Sequence, residues 1–258
     1  FRRVLFRSSS LVMISIFKKK YPSSPDFSVL KTDMHSHLLP GIDDGSHNPE
    51  QSKILIDGLL DLGYSQLITT PHILSDMFPN NPETISQAHE LLLPHLSPAQ
   101  QTAMLKPAAE YYLDDQFSSW VENSGPLLVL RDPYVLVEFP FVAPPYQHKE
   151  QLFQLQLQGF QPVLAHPERY SYYFYQKDVF DELKAIGCLF QLNLLSLAGY
   201  YGKQTQQMAE YLVKKKYVNL LGTDMHHIRH LEALRMAGQL QPILLSLLDT
   251  GEILNPEW

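Results

Sequence analysis

The sequence predicts an α/β fold in which about seven parallel strands close into a barrel with helices on the outside. Two observations support this prediction. Short apolar runs alternate with helical patterns over more than 200 residues, and no internal repeat or Gly-, Ser- or Pro-rich linker interrupts them. The chain has 258 residues, of which 45% are hydrophobic, enough for one large core. We therefore expect a single domain from residue 31 to 258, preceded by an extension over 1–30.

The predicted strands are short apolar runs, and several of them finish in a histidine or a carboxylate. We expect strands at residues 30–35, 65–70, 104–110, 134–138, 162–165, 188–193 and 217–223. Because a helical pattern separates most successive runs, the strands should pair in parallel.

The first helix is marked at both ends. Pro49 and Glu50 suit a first turn, apolar residues then recur at helical spacing, and Gly63 provides a stop. Further helices are expected at residues 82–96, 148–158, 178–186, 204–215 and 231–248.

The first residues resemble no part of this pattern. The chain does not begin with Met, and Met13 starts a plausible reading frame, so we expect residues 1–12 to be non-native. The alternative is a signal peptide. It is disfavoured because the apolar stretch is short and because Lys18, Lys19 and Lys20 follow where small residues should mark cleavage.

Composition excludes several classes of protein. The net charge of −7 argues against a nucleic-acid surface. The sequence has no run of eighteen apolar residues, so we expect no transmembrane helix. The single cysteine, Cys188, fits a reducing cytoplasm. A phosphate-binding loop built around a cysteine nucleophile needs an arginine six positions after the cysteine, where this chain has Leu194. We therefore expect Cys188 to be a core residue and not a nucleophile.

Nine candidate metal ligands lie at or just after the predicted strand ends. They are His35, His37, Asp44, His72, Glu110, Glu138, His166, Asp224 and His226. A single His-x-His pair is weak evidence, since two hydrogen-bonded histidines would explain it equally well. Several ionisable groups placed beside a core are tolerated chiefly when they are paired or bind metal. The set as a whole therefore predicts a polynuclear site that suits manganese, iron or zinc.

The remaining histidines lie in predicted helices and loops. We interpret them as ordinary surface residues, with His227 the doubtful case because it follows a candidate ligand. These six are His47, His89, His95, His148, His227 and His230.

The clusters resemble the motifs of the polymerase-and-histidinol-phosphatase (PHP) superfamily. The resemblance spans residues 31–256 and rests on His35-Ser36-His37, Asp43-Asp44-Gly45, Thr70-Pro71-His72, Val137-Glu138-Phe139, His166-Pro167-Glu168-Arg169-Tyr170 and Thr223-Asp224-Met225-His226. Within it, the chain is most similar to the manganese-dependent bacterial tyrosine-protein phosphatases found with capsular polysaccharide genes. The implied fold is a distorted (β/α)7 TIM-like barrel.

The resemblance implies three metal ions, with Mn²⁺ expected. The first would be bound by His35, His37, Glu110 and Asp224; the second by Glu110, Glu138 and His166; and the third by Asp44, His72 and His226. Asp43 remains an alternative to Asp44. The four carboxylates and three divalent ions would leave the cluster at +2, which favours a phosphate ester.

Two arginines are expected to contact phosphate. Arg169 follows a ligand and could hold the phosphoryl group through two nitrogens, although a surface ion pair is the alternative. Arg229 is closer to His226 than the family pattern suggests, which leaves its role open.

The implied substrate is a phosphotyrosyl protein, with a bacterial tyrosine kinase of polysaccharide export as the expected partner. Tyr111, Tyr112, the aromatic-rich run Tyr170–Tyr175 and the pair Tyr200-Tyr201 could line a site for an aromatic ester or simply fill loops at the rim. Two alternatives stay open: a small-molecule phosphatase of the histidinol-phosphate type, and a non-catalytic metal-binding regulator.

Overall fold

The computed structural model describes residues 21–123 and 125–258. The predictions for residues 1–12, both the non-native segment and the alternative signal peptide, lie outside the described residues. Within them the strands are β1 Thr32–Asp33, β2 Gln66–Leu67, β3 His72–Ile73, β4 Glu110–Tyr112, β5 Tyr134–Glu138, β6 Gln161–Ala165, β7 Leu189–Asn193 and β8 Val218–Gly222.

All strand pairs are parallel, and they form a pair β1–β2 and a six-stranded sheet in the order β3 to β8. Isolated backbone bridges connect the β1–β2 pair to the six-stranded sheet at both of its edges. Met225 bridges to Ser36, and Met104 bridges to Leu67. Strands β2 and β3 are two parts of one segment, so seven strand segments of the described chain follow one another in a ring. The predicted fold class is confirmed.

The inside of the ring is packed with apolar side chains from successive strands. Met34, Ile68, Leu136, Val163 and Leu220 belong to one buried cluster, each no more than 2% exposed. Side chains two positions apart on a strand share a face. Glu138 therefore lies on the same face as Leu136, one step closer to the carboxyl end of the barrel.

The helices of the described residues pack outside the strands. They are α1 Pro49–Asp61, α2 Pro82–Leu92, α3 Pro98–Ala103, α4 Asp115–Glu122, α5 His148–Leu157, α6 Asp178–Ala185, α7 Leu194–Leu197, α8 Lys203–Lys214, α9 Ile228–Arg235 and α10 Leu240–Leu248. The predicted start of α1 is confirmed, with Pro49 in the first turn and the side chain of Asn48 accepting a hydrogen bond from the amide of Gln51.

One helix prediction was wrong in detail, and three helices of the described residues, α3, α4 and α7, were not predicted. The single helix expected over 231–248 is divided into α9 and α10. Between them, Gly238 lies so close to the chain at Pro22 that a Cβ atom would fall 1.7 Å from its carbonyl oxygen. Helix α4 was not predicted, because its eight residues present only two buried side chains, Phe117 and Val121.

The segment ahead of residue 31 contributes to the core where it is described. Phe27 and Leu30 are fully buried, and the amide of Phe27 donates to the carbonyl oxygen of Leu62. Phe27 and Leu30, which precede the barrel domain, therefore pack against it. Among the described residues, no helix combines the length and hydrophobicity needed to cross a membrane.

Candidate metal centre

The nine predicted ligands converge at the carboxyl end of the barrel. His35 and His37 follow β1, His166 follows β6, and Asp224 and His226 follow β8. His72 and Glu110 are register partners in neighbouring strands, so parallel pairing brings their side chains to the same edge. Residues far apart in sequence thus meet in one buried cluster.

Four of these side chains form a tight group. Glu110 Oε2 lies 3.2 Å from His35 Nε2 and 3.3 Å from His37 Nε2. Asp224 Oδ1 lies 3.4 Å from each of the same nitrogens, which are themselves 3.4 Å apart. Donor atoms at these spacings suit a coordination shell with bonds of about 2 Å, the length of a metal–nitrogen bond. The group fits the ligand set expected for the first metal.

Two further groups adjoin the first. His166 Nε2 lies 3.2 Å from Glu110 Oε1 and 3.3 Å from Glu138 Oε1. Asp44 Oδ1 lies 3.5 Å from His72 Nε2 and 3.4 Å from His226 Nε2. His72 also turns its Nδ1 toward Glu110, at 3.2 Å. Glu110 is thus shared between groups, as the predicted bridging ligand must be.

The charges of this cluster fit bound cations. Both carboxylate oxygens of Glu110 are buried and, among the described residues, neither accepts a well-formed hydrogen bond. Burial alone would raise the pKa of Glu110, but the facing imidazoles of His35 and His72 hold it well below its usual range. Burial likewise lowers the pKa of His166, yet Glu110 and Glu138 raise it to about 10. Protons on the histidines balance the carboxylates, and divalent cations can take their place.

Hydrogen bonds behind the ligands fix their orientation. Gln191 Oε1 accepts from His35 Nδ1 at 2.8 Å, which leaves the lone pair of His35 Nε2 directed into the site. The amide of Gln191 donates to Asn193 Oδ1 at 2.8 Å, and Asn193 Nδ2 donates to Asp224 Oδ2 at 2.7 Å. This chain connects two ligands from opposite ends of the sequence.

Asp43 and Asp44 have different positions. The buried Asp43 carboxylate accepts from His37 Nδ1 at 2.8 Å and from the backbone amide of His72 at 3.2 Å. Asp44 is 58% exposed and faces the histidines of the third group. This geometry agrees with the choice of Asp44 as the candidate ligand. Asp43 instead orients the ring of His37 through its hydrogen bond.

Close packing of the ligands requires a glycine at one position and unusual backbone angles at two others. A Cβ on Gly45 would lie 2.3 Å from the carbonyl oxygen of His37, so only glycine fits there. His166 and Asp224 have positive φ angles of 32° and 51°, a left-handed conformation that is rare for residues other than glycine. Such strain is characteristic of functional sites, where the backbone aims a side chain.

Arg169 lines a cavity of about 240 Å³ above the ligands. Its Nη1 donates to Asp224 Oδ2 at 2.7 Å, and its guanidinium lies 4.9 Å from the ring centre of Phe141 and 4.5 Å from that of Tyr201. The side chain is 25% exposed. Arg169 therefore does form an ion pair, as the alternative prediction expected, but its partner is the candidate ligand Asp224. Cation–π contacts with Phe141 and Tyr201 also keep the guanidinium at the site.

The sequence profile of the capsular polysaccharide synthesis family, CpsB/CapC, matches residues 31–237 of this chain. The chain belongs to the CpsB/CapC family. A tyrosine-protein phosphatase of Bacillus subtilis (strain 168), YwqE, is 27% identical over 197 residues, which are 76% of this chain and 78% of the relative. CpsB of Streptococcus pneumoniae, also a tyrosine-protein phosphatase, is 27% identical over 203 residues, covering 76% and 83% of the two chains.

A solved structure supports the same relationship. It comes from work on YwqE of Bacillus subtilis and CpsB of Streptococcus pneumoniae, described as unique metal-dependent tyrosine phosphatases. It superposes with a TM-score of 0.72 at 26% identity and covers 87% of this chain and 94% of its own.

The structure differs from two sequence-based expectations for the site of this CpsB/CapC protein, those for Arg229 and His230. Arg229 is exposed and does not line the cavity; it borders the groove beside it. His230 was wrongly interpreted as a surface residue. It is 7% exposed, lines the cavity, and its Nδ1 accepts from the backbone amide of His226. Burial, followed by the charge of His227, lowers the pKa of His230 to about 3, so it is a neutral acceptor.

One of the tyrosines lines the cavity and others fill the surrounding structure, the two roles considered from the sequence. Tyr201 lines the cavity, whereas Tyr111 and Tyr170 are fully buried. The Tyr170 hydroxyl donates to the carbonyl oxygen of Ala165 and so stabilises the backbone next to a ligand. Most of the tyrosine runs are therefore structural.

Sequence reasoning missed Gln191, Asn193 and Phe141. The first two could have been found, because they are polar residues two apart at a buried strand end, the same pattern as His35 and His37. Phe141 lies on a loop after β5, where no periodicity indicates which side chains face the site.

Replacing Gln191 with leucine is expected to lower metal affinity by about 10- to 100-fold, because His35 loses the acceptor that sets its tautomer and orientation. Titration of the metal-free protein with Mn²⁺ by calorimetry measures this. The matched control is Gln100→Leu, which removes another buried glutamine, paired with Asp57 away from the site. Equal affinity in Gln191→Leu and the parent protein would contradict the assignment.

Replacing Cys188 with serine is expected to leave kcat within about twofold of the parent value. Cys188 is fully buried, and burial raises the pKa of its thiol to about 12, so no thiolate nucleophile is present at neutral pH. The hydroxyl should lower the free energy of unfolding by about 1 kcal/mol, measured by urea denaturation. A folded but inactive variant would reopen cysteine chemistry.

Proposed function

We propose that this chain is a metal-dependent phosphatase that hydrolyses phosphotyrosine on proteins. The observation that carries the proposal is the group of nine His, Asp and Glu side chains whose nitrogen and oxygen atoms lie at mutual distances of a metal site. Six of the nine also line one cavity. Membership of the CpsB/CapC family and the phosphatase relatives support it. We further propose Mn²⁺ as the native metal, a cytoplasmic location, and a tyrosine kinase of polysaccharide export as the substrate protein.

The proposed roles follow the three groups. His35, His37, Glu110 and Asp224 hold one ion, Glu110, Glu138 and His166 a second, and Asp44, His72 and His226 a third. When bound, the divalent ions would lower the pKa of a coordinated water and neutralise phosphoryl oxygens. We propose the barrel domain, residues 31–258, as the catalytic unit.

The chain's own residues orient the ester. Arg169 donates to Asp224, and its guanidinium lies within 5 Å of the ring centres of both Phe141 and Tyr201. From this position it can donate hydrogen bonds to a phosphoryl oxygen. Phe141 is 41% exposed at the mouth of the cavity. A tyrosyl ring can stack against it, whereas a seryl ester is too short to do so.

Removing the metal tests the proposal. The protein treated with chelator and dialysed should lose phosphatase activity, and added Mn²⁺ should restore it, because in the proposed mechanism the divalent ions would supply the activated water. A metal-dependent rise in melting temperature should accompany the recovery. Full activity in excess chelator would refute the mechanism.

A substrate panel separates the proposal from its alternatives. We expect kcat/KM with Mn²⁺ to be highest for phosphotyrosyl peptides, lower for matched phosphoseryl peptides and lowest for histidinol phosphate. A preference for histidinol phosphate would favour the small-molecule alternative. Metal binding without turnover of any substrate would favour a regulator.

A further inference from the structure

A second groove lies beside the metal cavity and is continuous with it. It has a volume of about 420 Å³ and is formed by the loop at residues 44–47, helix α1 and the start of helix α9. Asp44 and His227 line both the groove and the cavity. A substrate whose phosphoryl group lies at the ligands therefore has this groove next to it.

The groove has an apolar part. Ile54 on α1 is 52% exposed and Ile228 on α9 is 44% exposed, and both line the groove together with Leu55. Single exposed apolar residues are common on protein surfaces. Here two exposed ones, Ile54 and Ile228, come from two helices and line one concave surface beside the site together with the buried Leu55, which suits an apolar side chain of a bound partner.

The groove also carries a positive charge. Arg229 lines it and is exposed, and in the described part of the chain the ion pairs of Lys and Arg involve Lys149, Arg169, Lys215 and Arg235 but not Arg229. The nearby carboxylate of Asp44 faces the histidines of the third ligand group. The guanidinium is therefore available to a carboxylate from outside.

We propose that this groove binds the peptide segment adjoining the phosphotyrosine, with an apolar side chain against Ile54 and Ile228 and an acidic side chain at Arg229. This rests on the proposed function. An extended peptide advances about 3.3 Å per residue, so side chains one to three positions from the phosphotyrosine can reach an adjoining groove. Arg229 then selects the substrate, in place of the phosphoryl contact expected from the family resemblance.

Kinetics on matched peptides test this assignment. Phosphotyrosyl peptides that differ only in Asp or Asn at each flanking position are compared on the Mn²⁺-loaded full chain, with 4-nitrophenyl phosphate as a substrate that has no flanks. We expect an Asp/Asn ratio of kcat/KM of about threefold to fivefold at the preferred position, declining as salt is added. Arg229→Glu should invert the ratio, and Arg229→Lys should keep it above one.

Two further variants control the result. Lys53→Glu makes the same charge change on α1, next to Ile54 in sequence but outside the groove, and should leave the Asp/Asn ratio at the parent value. Ile54→Asn should reduce the preference for Leu over Ser among the flanking residues without altering the Asp/Asn ratio.

The outcomes distinguish this proposal from the one it rests on. An unchanged Asp/Asn ratio in Arg229→Glu would overturn it. So would an equal loss on 4-nitrophenyl phosphate and on the acidic peptide, which would return Arg229 to the phosphoryl group. Hydrolysis of phosphotyrosyl peptides without a flanking preference overturns the groove alone, whereas no hydrolysis of any aryl phosphate overturns the proposed function as well.

Discussion

Glu110→Gln is expected to reduce kcat by about a thousandfold and to lower the metal content of the purified protein. The carboxylate is fully buried, and its two oxygens lie 3.2–3.3 Å from nitrogens of His35, His37, His72 and His166. Glutamine keeps the shape but has no charge, and its NH₂ group would face nitrogens that must present lone pairs to a metal.

The measurement combines metal analysis with steady-state kinetics over a range of Mn²⁺ concentrations. Glu182→Gln is the matched control, since it makes the same substitution in an exposed ion pair with Lys149. The control should retain activity because surface ion pairs contribute little. If Glu110→Gln kept its metal and turned over at the parent rate, the shared ligand at the centre of the site would be misassigned.

Arg169→Lys is expected to lower kcat/KM by about a hundredfold although the charge is retained. The planar guanidinium contacts the rings of Phe141 and Tyr201 while one nitrogen donates to Asp224. A lysine ammonium has no plane to lay against an aromatic ring and cannot keep the Asp224 contact while also donating in the two-point geometry of a phosphoryl group.

Activity on 4-nitrophenyl phosphate and competition by inorganic phosphate report this loss without any contribution from peptide flanks. Arg235→Lys serves as the control, because Arg235 pairs with Asp61 at the surface. Parent-like kcat/KM and parent-like phosphate inhibition in Arg169→Lys would show that the residue is structural and serves only to orient Asp224.

Much of the fold and the candidate ligands could be predicted from the sequence. Alternating β-rich and helical runs indicate a parallel α/β fold, because each period reflects which face of an element is buried. His35-x-His37 and Asp224-x-His226 stood out because ionisable groups directly after apolar strands are costly unless they bind something. Both patterns depend only on residues close together in sequence, so a single sequence is enough to detect them.

Tertiary structure decided what local signals could not. Asp43 and Asp44 are adjacent and chemically identical, and only the fold turns one behind His37 and the other toward His226. Gly238, between α9 and α10, lies against Pro22, more than 200 residues away in sequence.

The sequence by itself determined the fold class, the family and the candidate ligands of this protein, since each depends on residue type and on spacing along the chain. Only the tertiary structure placed Gln191 behind His35, Phe141 beside Arg169, and Arg229 in the neighbouring groove. The physical reason is that a ligand can be recognised by its own chemistry, whereas an orienting or selecting residue is defined by the distance to its partner. That distance is set when the barrel closes and brings separate strand ends and loops together.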